Sequence, residues 1–172
     1  MERAISWEQI LKILTKTREK INNIKSCFLL DTKTEGFTVY RLQPHWAKKL
    51  FNVNEDEVRI EIVEVREFGT PHLHRFAEAG FLFLGKSLGF ENPKGTLLLG
   101  PWNENNTSVL EKYKIKPDLI VRVPPLLVHG FKVTNPIWFL GVHTPLIHEN
   151  NDLEVVDYKI SKSKQKEYVL VS

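Results

Sequence analysis

His72-Leu73-His74-Arg75-Phe76-Ala77-Glu78, followed directly by Ala79-Gly80-Phe81-Leu82-Phe83-Leu84-Gly85, is the stretch on which the reading of this chain turns. Residues i and i+2 of a β-strand point to one face, so His72 and His74 can present both imidazoles to one point in space. Glu78 keeps the same parity and is expected to carry a carboxylate to that face as the strand continues. Two neutral imidazoles and a carboxylate are the donors of Fe, Mn, Ni, Co or Zn rather than of Ca or Mg. A His-x-His pair alone also occurs in solvent-facing loops, so the flanking sequence has to decide.

The flanks are rich in short β runs. Residues 27–30, 37–42, 58–65, 81–84, 96–99, 119–123, 131–133, 137–142 and 153–160 read as strands, separated by Gly, Pro and Asn signals at 89–95, 101–106, 116–118, 135–136 and 150–152. That pattern predicts a sandwich or barrel. Within 58–65 the alternation starts with Val58, Ile60 and Ile62 on one face, then breaks, because Glu64 shares their parity while Val63 and Val65 do not. A bulge or strand end near Val63 is the expectation. Before the strands, Ser6 and Gln9 have the form of a capping box. Trp7, Ile10, Leu11, Leu14, Ile21 and Ile24 then recur at helical spacing, predicting an amphipathic helix over about 7–24 that covers an end or face of the sheet. Residues 43–57 are expected to form a second short helix or a covering loop. Without internal repeats or linker composition, residues 1–172 read as a single domain with a barrel core over about 58–143.

A second histidine element lies downstream. Val121-Arg122-Val123-Pro124-Pro125-Leu126-Leu127-Val128-His129 joins a β run to a stiff proline turn and a histidine opening another β segment. If the strands close into a barrel, His129 can meet the first group.

Bulk composition excludes several partners. The formal charge is +3, from 24 basic and 21 acidic side chains spread along the chain. A nucleic-acid footprint needs Lys and Arg clustered, and Lys159, Lys162, Lys164 and Lys166 read as a solvated terminal strand, so no nucleic acid is expected. No apolar run has the length of a signal peptide core or a membrane span, so the protein is expected to be cytoplasmic and to have no membrane partner. The lone cysteine, Cys27, lies beside Phe28, Leu29 and Leu30 and reads as a buried small hydrophobe. The triplets starting at Asn105 and Asn106 read as turn chemistry and not sugar sites.

These two histidine elements resemble the paired motifs of the cupin superfamily. The first motif of that family reads His-x-His, three or four residues, Glu, six residues, Gly; His72, His74, Glu78 and Gly85 match it. The second reads Pro-x-Gly-x-x-His, then three residues and Asn; Pro124 and His129 match it, while Leu126 stands for the Gly and Val133 for the Asn. The family's Gly ahead of the first His is Arg66 here, with Gly69 closer in, and Pro117-Asp118 stands near its Gly-Asp turn. The resemblance spans about residues 58–142. It implies an all-β, double-stranded β-helix (jelly-roll) barrel behind the N-terminal helix. It also implies one divalent transition-metal ion (Fe, Mn, Ni, Co or Zn) held by His72, His74, Glu78 and His129. Family members include dioxygenases, sugar isomerases and non-enzymatic binding proteins, and often pair as homodimers, which is the expectation for this chain.

Residues around the implied metal lean one way. Parity with Glu78 points to Leu82 and Leu84 as pocket walls, and parity with His129 points to Phe131 and Val133. Such apolar walls suit a small organic substrate with one chelating end, and so a dioxygenase-like enzyme. A metal-dependent sugar or sugar-phosphate isomerase is the alternative, and a small-molecule-binding cupin without catalysis is a third. Arg75 and Arg122 are candidate anion contacts, and His143 is the candidate catalytic acid or base. Trp102, in the connection over 86–117, is a candidate for the pocket entrance. His45 and His148 are weaker candidates for the acid or base role, and the run from His148 to Asp152, although metal-like in its residues, sits in a turn cluster.

Overall fold

Ser6 opens the first helix: its hydroxyl accepts from Gln9 N–H while the Gln9 side chain accepts from Ser6 N–H, the reciprocal box that the sequence predicts. In the computed structural model, which describes residues 4–146 and 149–170, α1 runs over Trp7–Ile24 and buries Ile10, Ile13, Leu14, Thr17, Ile21 and Ile24. Cys27 is buried just beyond it. Helix α2 (Pro44–Phe51) occupies part of 43–57; Pro44 stands in its first turn, and Asn52, at φ 55°, caps its end.

Among the described residues, twelve strands follow the helical N-terminus: β1 (Phe28–Lys33), β2 (Phe37–Leu42), β3 (Arg59–Val65), β4 (Gly69–His74), β5 (Glu78–Phe83), β6 (Gly95–Pro101), β7 (Ser108–Lys114), β8 (Ile120–Val123), β9 (Leu127–Val133), β10 (Ile137–Thr144), β11 (Leu153–Val155) and β12 (Tyr158–Ile160). They form two six-stranded sheets, ordered β1-β2-β3-β10-β5-β8 and β11-β4-β9-β6-β7-β12. Pairing is antiparallel throughout except between β12 and β7. Between the sheets lies a core of Val63, Val65, Phe81, Phe83, Leu97, Leu99, Val121, Phe131 and Phe139. The outer face of the first sheet is covered by α1 and α2, against Ile60, Ile62, Leu82, Leu84, Leu140 and Val142. The arrangement is the jelly roll that the resemblance implies. Among the described residues, no helix is long and apolar enough to cross a membrane.

Strand β3 corrects one expectation. Its pairing with β10 and with β2 runs without a register shift through Val63 to Val65, so there is neither a bulge nor a strand end at Val63. The alternation breaks because β3 is buried on both faces, with Ile60 and Ile62 under the helices and Val63 and Val65 in the central core.

Candidate metal centre

Strands β4 and β9 lie side by side in the second sheet, and His72 pairs directly with His129. Directly opposed residues on one face bring their side chains together, and these two rings stand 4.4 Å apart, centroid to centroid. His74, two residues along β4, faces the same way, at 5.3 Å from His72 and 5.4 Å from His129. One ring nitrogen from each of the three lies within 4.8 Å of the others. His74 and His129 are buried and His72 half-buried.

Each imidazole of the three is set by a hydrogen bond on Nδ1. His72 Nδ1 donates to Thr70 O at 2.9 Å, and His129 Nδ1 to Leu127 O at 3.0 Å. His74 Nδ1 donates to Asp152 Oδ2 at 2.7 Å. Nδ1 therefore carries the proton in all three, which leaves Nε2 with the lone pair a metal needs. Burial, reinforced by His72 and His74 nearby, holds the His129 imidazole well below its ordinary pKa and so neutral. The donor chemistry fits a divalent transition metal.

A cavity of about 450 Å³ opens over these rings. Its walls are Val39, Val63, Val65, Phe81, Phe131 and Phe139, with Glu61, Arg59 and His143 on the polar side. The rim comes from the β1–β2 hairpin, the Phe68–Thr70 segment, Leu153 and Val155. Glu61 bridges the polar side: Oε2 lies 3.2 Å from Arg59 Nε and Oε1 3.4 Å from His143 Nδ1. Desolvation, then the charges of Arg59 and His74, push the His143 imidazole well below its ordinary value.

Several expected residues lie elsewhere. Glu78 is not brought to the histidines; Arg122 Nε meets its carboxylate at 2.5 Å, and the Arg122 guanidinium lies 5.0 Å over the Trp7 ring. The parity argument fails because the chain turns at 75–77, between the end of β4 and the start of β5, and a turn resets the alternation. Leu82 and Leu84 follow Glu78 onto the helix side of the sheet and pack with α1, not the cavity. The inward residues of β5 are Ala79, Phe81 and Phe83. Phe131 does line the cavity, whereas Val133 packs on the central core beyond it. Arg75 points outward, ion-paired with Glu154 and stacked 5.3 Å over Trp102, which itself packs on the outer face of the second sheet. His45 stacks on Trp46 away from the cavity. His148 lies outside the described residues.

Two participants went unnoticed in the sequence. Asp152 is a buried partner of His74, although it lies 78 residues away. It ends α3 (Glu149–Asp152) and accepts from Phe76 and Ala77 N–H. The only sequence sign was its place in the polar turn after His148. Glu61 did have a sign: it shares parity with Val63 and Val65, the face that turns inward.

No protein-family model matches the sequence, and no curated protein matches it. Solved structures do resemble the fold. The capsular polysaccharide assembling protein CapF from Staphylococcus aureus superposes with a TM-score of 0.54 at 12% identity, over 76% of this chain and 32% of that one. This chain thus spans about a third of CapF. KdgF from Halomonas sp. matches at 13% identity with a TM-score of 0.46, over 69% of this chain and 89% of that one. Oxalate decarboxylase from Bacillus subtilis matches at 14% identity and 0.45, over 65% and 26%. At such identities the likeness is one of fold, and the CapF superposition carries it. Two facing β-sheets that hold a His-x-His strand beside a third histidine, together with this likeness, make the chain a cupin in fold.

Proposed function

We propose that this protein is a metal-dependent cupin enzyme of the dioxygenase type, acting on a small, largely apolar organic molecule with one chelating end. The observation that carries the reading is three imidazoles, one nitrogen of each within 4.8 Å of the others, under a cavity walled by Val63, Val65, Phe81, Phe131 and Phe139. His72, His74 and His129 would hold the ion. When bound, it supplies Lewis acidity to a chelating oxygen and, if redox-active, the one-electron chemistry that reaction with O₂ requires.

The chain's own residues do the rest. Phe81, Phe131 and Phe139 form a contiguous aromatic wall, with centroids 4.7 to 6.0 Å apart, that seats an apolar body and keeps water from it. Glu61 and Arg59 offer polar contacts at one side of the cavity, and Asp31, Thr32, Thr34, Glu35 and Thr70 offer others at its rim. A sugar phosphate would call for convergent cations. Among the described lining residues Arg59 is the single Lys or Arg, and it is held by Glu61. We place the protein in the cytoplasm, in keeping with a buried free thiol at Cys27. A homodimer is supported by β1, which ends its sheet and exposes Leu29 and Leu30.

The test is elemental analysis of the purified protein, followed by an O₂ electrode with simple chelating diols and diketones. About one equivalent of metal and Fe(II)-dependent O₂ uptake are expected. Anaerobic turnover of a sugar phosphate with Mn or Zn would point to an isomerase instead. A ligand-dependent rise in Tm without turnover would point to a binding protein. Metal retained undiminished by His74→Ala would end the metal reading altogether.

A further inference from the structure

The cupin pattern expects a carboxylate beside the three imidazoles, and this chain does not deliver one from β5. The inward position there is Ala79, fully buried and without a donor. Its antiparallel partner in β10 is His143. Directly paired residues share a face and lie about 4.5–5.5 Å apart at Cβ, so His143 projects into the same side of the cavity beside the space a longer residue-79 side chain would fill. Its ring stands 5.3 Å from that of His74, the same separation as between His72 and His74. It is only 8% exposed, and among the described residues its Nδ1 makes no hydrogen bond. The 3.4 Å approach of Glu61 Oε1 is an ion-pair distance that turns Nδ1 toward the carboxylate and Nε2 away from it.

We propose that His143, and not Glu78, is the fourth donor, so that the centre is an all-imidazole site of His72, His74, His129 and His143. This rests on the metal reading above. His143 stands outside the 4.8 Å cluster of the other three, so ligation needs its ring to swing toward His74, beside an Ala79 that carries only a methyl. Glu61 then stands to His143 as Asp152 stands to His74, a carboxylate behind an imidazole. Four neutral nitrogen donors leave the full charge of the ion in the site. They favour Fe, Co, Ni, Cu and Zn over Mn, which prefers oxygen ligands.

The experiment measures Co(II) and Zn(II) affinity by competition with a chromophoric chelator, together with the Co(II) absorption bands, for the intact chain and four variants. Glu78→Gln is expected to leave affinity within about twofold and the bands unmoved, because the amide still accepts from Arg122. His143→Gln is expected to lower affinity about 100-fold and shift the bands; loss of a mere outer-shell partner costs about 10–100-fold. In Ala79→Glu combined with His143→Ala, the new carboxylate sits at the inward position and is expected to restore most of the affinity. That result separates loss of a donor from loss of folding. Loss of affinity in Glu78→Gln, or none in His143→Gln, overturns the assignment. His74→Ala is the control: if it loses the metal while His143→Gln does not, the fourth-donor assignment fails and the three-histidine centre stands, whereas metal binding intact in His74→Ala removes the centre itself.

Discussion

The Asp152 carboxylate accepts from Phe76 and Ala77 N–H while its other oxygen meets His74 Nδ1. Burial alone would push its pKa up; the two N–H groups and His74 outweigh that and hold it below the ordinary carboxylate range. It therefore stays ionised and gives His74 more donor strength than a neutral acceptor would. Asp152→Asn keeps an oxygen for the two N–H groups but lacks the charge. Metal affinity should fall about 10–100-fold with the thermal midpoint of the metal-free protein little changed, and chelator competition beside a thermal melt reads both. An unchanged affinity would show that His74 needs no charged partner. Leu126 illustrates a different kind of residue effect. It stands where the cupin motif has Gly, adopts φ 70°, and donates its N–H to His74 O at 2.8 Å. An L-residue with a side chain is strained there by about 1–2 kcal/mol, partly offset by the extra unfolded-state freedom of Gly. Leu126→Gly should raise stability by about 0.5–1 kcal/mol, measured from the urea midpoint; a drop would mean the strain is already relieved. The departure from Gly was visible in the sequence, but its backbone consequence was not.

Among the elements, α1 was the most legible. Its caps and its apolar period are local properties, and they reach the observed ends, Trp7 and Ile24, without help from the rest of the fold. What it packs on was not legible. Gly80 of β5 is the contact point: a Cβ there would come within 2.6 Å of Ile10 and 3.0 Å of Trp7. The helix sits that close because nothing projects between it and the sheet. Gly80→Ala should cost about 1–3 kcal/mol by overpacking, read by chemical denaturation, and an effect under a few tenths would mean that α1 rides more loosely on β5. Strand β7 was missed because Glu111, Lys112 and Lys114 interrupt its apolar residues, although Leu110 is fully buried. Strands β4 and β5 show where periodicity stops being informative. The alternation places His72 with His74 and, separately, Ala79 with Phe81, but says nothing across the turn between them. Carrying it across put Glu78, Leu82 and Leu84 on the wrong face.

At the scale of the molecule, two buried cavity histidines make stability depend on pH. Burial first, and neighbouring charges second, hold His129 and His143 below their ordinary values. Below about pH 6.5, the ordinary imidazole value, the unfolded chain takes up protons that the folded chain refuses. Stability is then lost as pH falls, by up to about 1.4 kcal/mol per pH unit for each histidine. Melts of the metal-free protein between pH 7.5 and 5.5 should show a steadily falling Tm, and His143→Gln should reduce the slope. A flat profile would mean that these imidazoles accept protons in the folded state. Read alone, the sequence determined the β-class, the N-terminal helix and the shared face of His72 and His74, because each depends on spacing within a single strand or helix; His129 came in only through the resemblance, and the pairing of β4 with β9 brings it to the other two. Tertiary structure decided which carboxylates serve the site. Asp152 and Glu61 reach His74 and His143 by pairing between strands distant in sequence, and Glu78 turns away toward Arg122. Pairing and turn geometry are long-range, and a period of two residues carries no information past the turn where a strand ends.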